Sequence, residues 1–172
     1  AGPHCGGGTQ ARVEFATNNW STPQTVRVVG VNDSVDDGNI SYTLQTTTWS
    51  NDSAYDAINP IDLSFTNIDD DVAGITVNAG THLSTQEQGG YVDFTVVLDS
   101  QPSDSVEICL RSEDTTEGAI DTANSDAISG QGNCIVGTHA YVAFTTGNWN
   151  VPQTVRVVGV DDAQVDGDIA YT

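Results

Sequence analysis

Apolar and polar residues alternate along this chain in short runs, and no window of about a dozen residues carries an apolar stripe at helical spacing. The clearest run is Tyr91 to Leu98. There Val92, Phe94, Val96 and Leu98 fall on one face of an extended strand and their neighbours on the other. The same pattern predicts strands at Ser41 to Thr46, Leu63 to Asn67, Ile75 to Asn78, Ser105 to Leu110, Ala140 to Thr145 and Thr154 to Val160, and from Ile169 onward. Between them, Glu113 to Thr138 is rich in Asp, Ser, Gly and Asn and is predicted to be the largest loop.

The pattern repeats. A shift of 129 residues aligns Phe15 with Phe144, Trp20 with Trp149, and PQTVRVVGV at 23–31 with its copy at 152–160. Over the 43 overlapping positions, 1–43 against 130–172, 24 residues are identical, far beyond what shared strand propensity produces. Residues 1–72 then read as the C-terminal part of one unit and 73–172 as the N-terminal and middle part of the next. A unit pieced together from both holds about seven strands and no helix. That count predicts an all-β, immunoglobulin-like two-sheet sandwich in tandem units with a 129-residue repeat. In this reading the first unit lacks its opening strands and the second its closing one. The open edges would then be answered head to tail by neighbouring repeats or by a strand-donating chain.

Composition narrows the partners. Twenty-four acidic side chains face four arginines and no lysine, for a formal charge of −20. Such a chain repels phosphate backbones and anionic lipid, so nucleic acid is excluded as a partner. With no apolar run of about 18 residues, membrane insertion is not expected, and the absence of a basic, apolar start places the chain after any targeting segment. Cations become the first ligand to consider.

The segments FTTGNWNVPQTVRVVGVDD, TNIDDD and STQEQGGYVDFTVVLDSQP together resemble the Calx-β type of domain over essentially the whole chain, in particular its bacterial extracellular tandem arrays. The resemblance implies calcium at one end of the unit, held by a Glu after the first strand, by acidic loops and by a terminal Asp triplet. Carried over position by position, it nominates Asp33, Asp37, Asp69, Asp70 and Asp71 in the first copy, and Glu87, Asp161, Asp162 and Asp166 in the second. Asn32 stands where the second copy has Asp161, and Glu113 to Gly118 matches the family's other acidic loop only loosely. The plainer explanation is that Asp-Gly and Asp-Asp are ordinary turn chemistry.

Cys5 occupies the repeat position of Cys134. If every unit carries one pair, Cys109 bonds Cys134 and the partner of Cys5 lies about 25 residues upstream of it; otherwise the three are unrelated thiols. A disulfide would place the chain outside the cell or on its surface. Asn19, Asn32, Asn39 and Asn51 begin Asn-x-Ser sequons and are candidate glycan acceptors. None is a feature of the repeat, since Asn148 lacks the hydroxyl residue, Asp161 and Asp168 replace two more, and Asn51 has no counterpart within the chain.

Trp20 and Trp149 recur at one repeat position, either as sugar-stacking aromatics or as plugs against the sheets. No histidine recurs, and no nucleophile, base and orienting group can be assembled, so the chain is not expected to be an enzyme. The expected function is a structural repeat module of a long extracellular array or filament, stiffened by calcium between units. The alternative is a calcium-dependent adhesin or carbohydrate-binding surface module, and a third class is an accessory segment of a secreted enzyme.

Overall fold

A computed structural model describes residues 10–137, 139–165 and 167–172. The chain divides into two compact units: residues up to Asp33 with Gly38–Asp69, and Ser34–Asp37 with Asp70–Thr172.

In the first unit, β1 (Ile40–Leu44) and β2 (Leu63–Asn67) pair antiparallel as a two-stranded sheet. Tyr42 and Phe65 face each other in the register and stack with ring centroids 5.7 Å apart. The connection holds one helical turn, α1 (Ser53–Asp56). Its N-cap is Asp52, whose carboxylate accepts the Ala54 amide at 2.9 Å and so satisfies one of the unpaired donors at a helix start.

In the second unit, β3 (Ile75–Asn78), β4 (Tyr91–Leu98), β6 (Gly118–Ile120) and β9 (Gln153–Gly159) form a four-stranded sheet in the order β3-β4-β9-β6. A three-stranded sheet orders β5 (Val106–Leu110), β8 (Ala140–Phe144) and β7 (Ile128–Ser129) as β5-β8-β7. Every pairing is antiparallel. Both sheets feed one core: Val96 and Leu98 from β4, Val155 from β9, Ala140, Val142 and Phe144 from β8, and Ala127. The alternation in Tyr91–Leu98 and Ala140–Phe144 places those side chains inward, and their burial supplies the main driving force for the unit.

The immunoglobulin-like two-sheet sandwich is corrected by this arrangement. The strands lie in three separate open sheets, and 172 residues are too few for two 129-residue units, so the duplication is present only as its 43-residue overlap. The physical reason lies in the pairing. The seven predicted strands are joined from two copies, whereas β1 and β2 of the first copy pair only with each other and the strands of the second pair among themselves. Residues 11–16 and 23–33 enter no sheet, and neither do 169–172. Two further departures are local. The predicted loop contains β6 and β7, short strands that complete the edges of the two sheets, and α1 stands where no helix was expected.

Candidate functional site

The repeat makes this chain its own control, because the same sequence occurs in two surroundings. The turn before the shared PQTVRVVGV segment is built identically in both copies. The Asn148 side chain accepts the Thr145 amide and donates to the Ala143 carbonyl; the Asn19 side chain accepts the Ala16 amide and donates to the Glu14 carbonyl. Backbone bonds match as well, from Asn148 to Thr145 and Val151 to Asn148 in one, from Asn19 to Ala16 and Thr22 to Asn19 in the other. The turn is local chemistry: an Asx side chain mimics the backbone and needs no distant partner.

Beyond the turn the two copies part. Residues 153–159 form β9, which pairs with β4 on one side and β6 on the other. Residues 24–30, of identical sequence, form no strand. The apolar side chains diverge accordingly. Val142, Phe144 and Val155 are 0 % exposed, whereas their counterparts Val13, Phe15 and Val26 are 44 %, 54 % and 51 % exposed. Trp149 packs against the core, and Trp20 is 72 % exposed. The first copy therefore presents an open apolar face whose closed form is visible in the second.

One polar contact marks the closed form. Arg156 on β9 faces Asp93 on β4 in the register and donates Nε and Nη2 to its two carboxylate oxygens, both at 2.8 Å. The guanidinium also lies 3.8 Å from the centroid of the Tyr91 ring. The hydrogen bonds from Arg156 hold the Asp93 carboxyl below the ordinary carboxylate range, and those from Asp93 raise the guanidinium further above its own. Arg27, the repeat counterpart of Arg156, is exposed and makes no ion pair among the described residues. Sequence reasoning passed over this pair. The available signal was that, of four arginines, only Arg27 and Arg156 occupy one repeat position.

The nominated calcium ligands separate into two classes. Asp69, Asp70 and Asp71 converge, with one carboxylate oxygen from each within 4.8 Å of the others, and among the described residues this is the one group of three or more metal-ligating side chains. Asp33, Asp37, Glu87, Asp161 and Asp162 belong to no such group, and Asp166 lies outside the described residues. Several acids serve as turn devices: Asp162 accepts the Gln164 amide at 2.7 Å, Asp36 the Ala73 amide at 2.8 Å, and Asp69 the Gly38 amide at 2.7 Å. Calcium takes roughly six to eight oxygens. The triplet fits part of such a shell, and the remainder would have to come from carbonyls or water.

Cys109 and Cys134 form a disulfide with Cα atoms 5.8 Å apart, joining β5 to the segment before β8; Cys5 lies outside the described residues. Of the sequon asparagines, Asn19 is committed to its turn, Asn39 accepts the Asp69 amide at 2.9 Å, Asn32 donates to the Asp33 carbonyl at 3.1 Å, and Asn51 is exposed before α1. An open groove of about 710 Å³ in the second unit lies between Asp36, Ala73, Leu98 and the 100–106 turn. A smaller hollow lies beside Arg111 and His139, but Arg111 already faces Glu113 and His139 accepts the Ser112 amide. The Ser112 hydroxyl in the smaller hollow donates to the Asp114 carbonyl at 2.9 Å. No helix among the described residues is long and apolar enough to cross a membrane. No family model, no curated protein and no solved structure matches this chain.

Proposed function

We propose that this chain is a structural repeat segment of a long extracellular array or filament, in which repeat segments complete one another's sheets head to tail. The observation that carries the reading is the pair of faces: residues closed into a core in one copy of the repeat stand open in the other. An apolar face of this kind is costly in water and is usually an interaction surface. The Cys109–Cys134 disulfide supports an oxidising, extracellular setting. The motifs resembling Calx-β arrays point the same way. Trp20 and the sequons keep a glycan-binding or glycan-bearing surface as the second reading, with the exposed indole as its specific support. The array accounts for that indole more simply, since its counterpart Trp149 is a packing residue.

Imaging and mass analysis of native material test the proposal. Elongated particles with a regular axial repeat are expected. Native material consisting of monodisperse monomers near 18.1 kDa would refute it.

A further inference from the structure

The second unit carries an apolar tip and an apolar groove beside opposite ends of β5. The tip is Ile135 and Val136, adjacent in the chain and 77 % and 86 % exposed. The loop that presents them is braced at its base. Cys134 is tied to Cys109 on β5, and the Glu107 carboxylate accepts both the amide and the Nδ2 of Asn133, at 2.7 and 2.9 Å. The repeat does not demand apolar residues there: the sequence reads CIVGT at 134–138 and CGGGT at 5–9, with glycines at the matching places. Two aliphatic side chains held in water on a firm support form a preorganised contact surface. Arg111 stands beside them, since a side-chain carbon at Gly137 would lie 3.6 Å from its Nη1. Its ion pair with Glu113 is exposed and, at 3.5 Å, long, so it holds the guanidinium only weakly. The groove of about 710 Å³ lies at the other end, beside Val106, the first residue of β5, whereas Cys109 and Leu110 lead to the tip. Ile75, Leu98 and Val106 line it together with Asp36, Asp37 and Asp104, and no cation does so among the described residues. All of these belong to the second unit. Its volume falls in the range of roughly 300 to 1,000 Å³ that takes in a small apolar group.

We propose that Ile135 and Val136 of one copy of this chain insert into the groove lined by Ile75, Leu98 and Val106 of a second copy, with Arg111 set against the groove's carboxylates. The two surfaces are complementary twice over, aliphatic side chains to apolar lining and a cation to Asp36, Asp37 and Asp104. Because the surfaces differ and lie at opposite ends of β5, the contact is heterologous and adds copies head to tail, where a symmetric pair would close on itself. The charge of −20 opposes association at long range. In physiological salt that repulsion is screened beyond about 8 Å, whereas the aliphatic and Arg–Asp contacts act at touching distance. A contact this small is weak in free solution, and an array strengthens it through a local concentration on the order of millimolar. The contact deepens the array role and rests on it, but the two fail separately. Filaments in native material, with no self-association of this chain, would leave the array and remove the contact.

The experiment follows amide NMR and sedimentation of the full 172-residue chain on dilution from millimolar to micromolar concentration in physiological salt. Resonances at 134–136 should shift together with those at 73–75 and 104–106, along one binding curve. Ile135→Ser with Val136→Ser should weaken association at least about ten-fold, and Arg111→Gln about two- to five-fold, with the fold intact by circular dichroism. Ala73→Trp, which fills the groove from its own wall, should weaken it as much as the tip variant does. If that variant fails to fold, Asp104→Lys reads the same groove by charge reversal. The tip variant keeps a groove and the groove variant keeps a tip. Mixed at a concentration where each alone is monomeric, the two should form a one-to-one pair and grow no further. A parent chain that stays monomeric at millimolar concentration, association indifferent to the tip and groove variants, or a mixture no more associated than its components overturns the proposal. Shifts confined to 13–31 also overturn it, since the open face of the first unit would then be the contact.

Discussion

Phe144→Ala and Phe15→Ala remove the same side chain from the same repeat position, and the structure assigns them very different costs. Phe144 is fully buried among β4, β8 and β9 residues, so truncation loses both the transfer free energy of the ring and the packing around the resulting cavity, about 3 to 5 kcal/mol. Phe15 keeps 54 % of its surface in water. Its loss leaves no enclosed cavity and should cost about 1 kcal/mol, confined to the first unit. Trp149 is the one tryptophan of the second unit, so a background of Trp20→Phe and Trp49→Phe makes fluorescence report that unit alone. With a urea slope near 2 kcal/mol/M, Phe144→Ala should lower the midpoint by about 1.5 to 2.5 M. Phe15→Ala should move it by less than about 0.3 M on the same slope. If Phe144→Ala leaves too little folded protein to measure, Phe144→Leu retains most of the volume and should cost about 1 to 1.5 kcal/mol. Equal losses from Phe15→Ala and Phe144→Ala in this assay would refute the open face. A negligible loss from both alanine variants would refute the core.

Three further outcomes are expected. Replacing Cys109 and Cys134 by serine opens a loop with a sequence separation of 25 and should cost about 3 to 4 kcal/mol; unreduced protein should yield the linked peptide on mass mapping, and recovery of both as alkylated thiols would contradict it. Asp93 has a folded-state pKa below its unfolded one, so its contribution is present above the ordinary carboxylate range and is lost as pH falls through the lowered value. Asp93→Asn should therefore flatten stability against pH on the acid side, and parallel curves would show that the pair contributes nothing. Millimolar calcium should raise the thermal midpoint of the full chain, and Asp70→Asn with Asp71→Asn should abolish the rise. No rise in the parent chain would make the triplet charged surface only.

The limits of sequence legibility can be located on particular residues. Strands with strong alternation were readable: β4 begins and ends at Tyr91 and Leu98 as the pattern predicts, and β8 and β9 fall within a residue or so of theirs. The Asn148 turn is equally local, which explains its recurrence at Asn19 in a unit where little else is shared. Pairing was not readable. The TVRVVG of 25–30 and of 154–159 has one intrinsic propensity and two outcomes, because a strand exists only where another chain segment takes up its amides and carbonyls. The same non-local dependence misled the sandwich prediction, which joined into one unit strands from two copies that lie in separate sheets. Within the site, the Asp triplet was visible as a run of like residues. The Arg156–Asp93–Tyr91 contact was not, since it joins positions 63 residues apart through a register that only the folded sheet defines.

The open segment at 24–30 also has a colloidal consequence. Thr25 to Val31 is rich in β-branched residues, contains no proline and carries a single charge, the composition of a segment prone to stack into intermolecular sheets. Arg27 is its sole internal gatekeeper. The other safeguard is global: at a charge of −20 the molecules hold one another apart before their exposed edges can meet. That repulsion reaches about 10 Å in 0.1 M salt and only about 3 Å in 1 M. It vanishes near the isoelectric point, pH 4.1. The acidity that makes the chain a poor partner for phosphate thereby also keeps this exposed apolar segment apart from its copies, and concentrated salt or mild acid removes that protection.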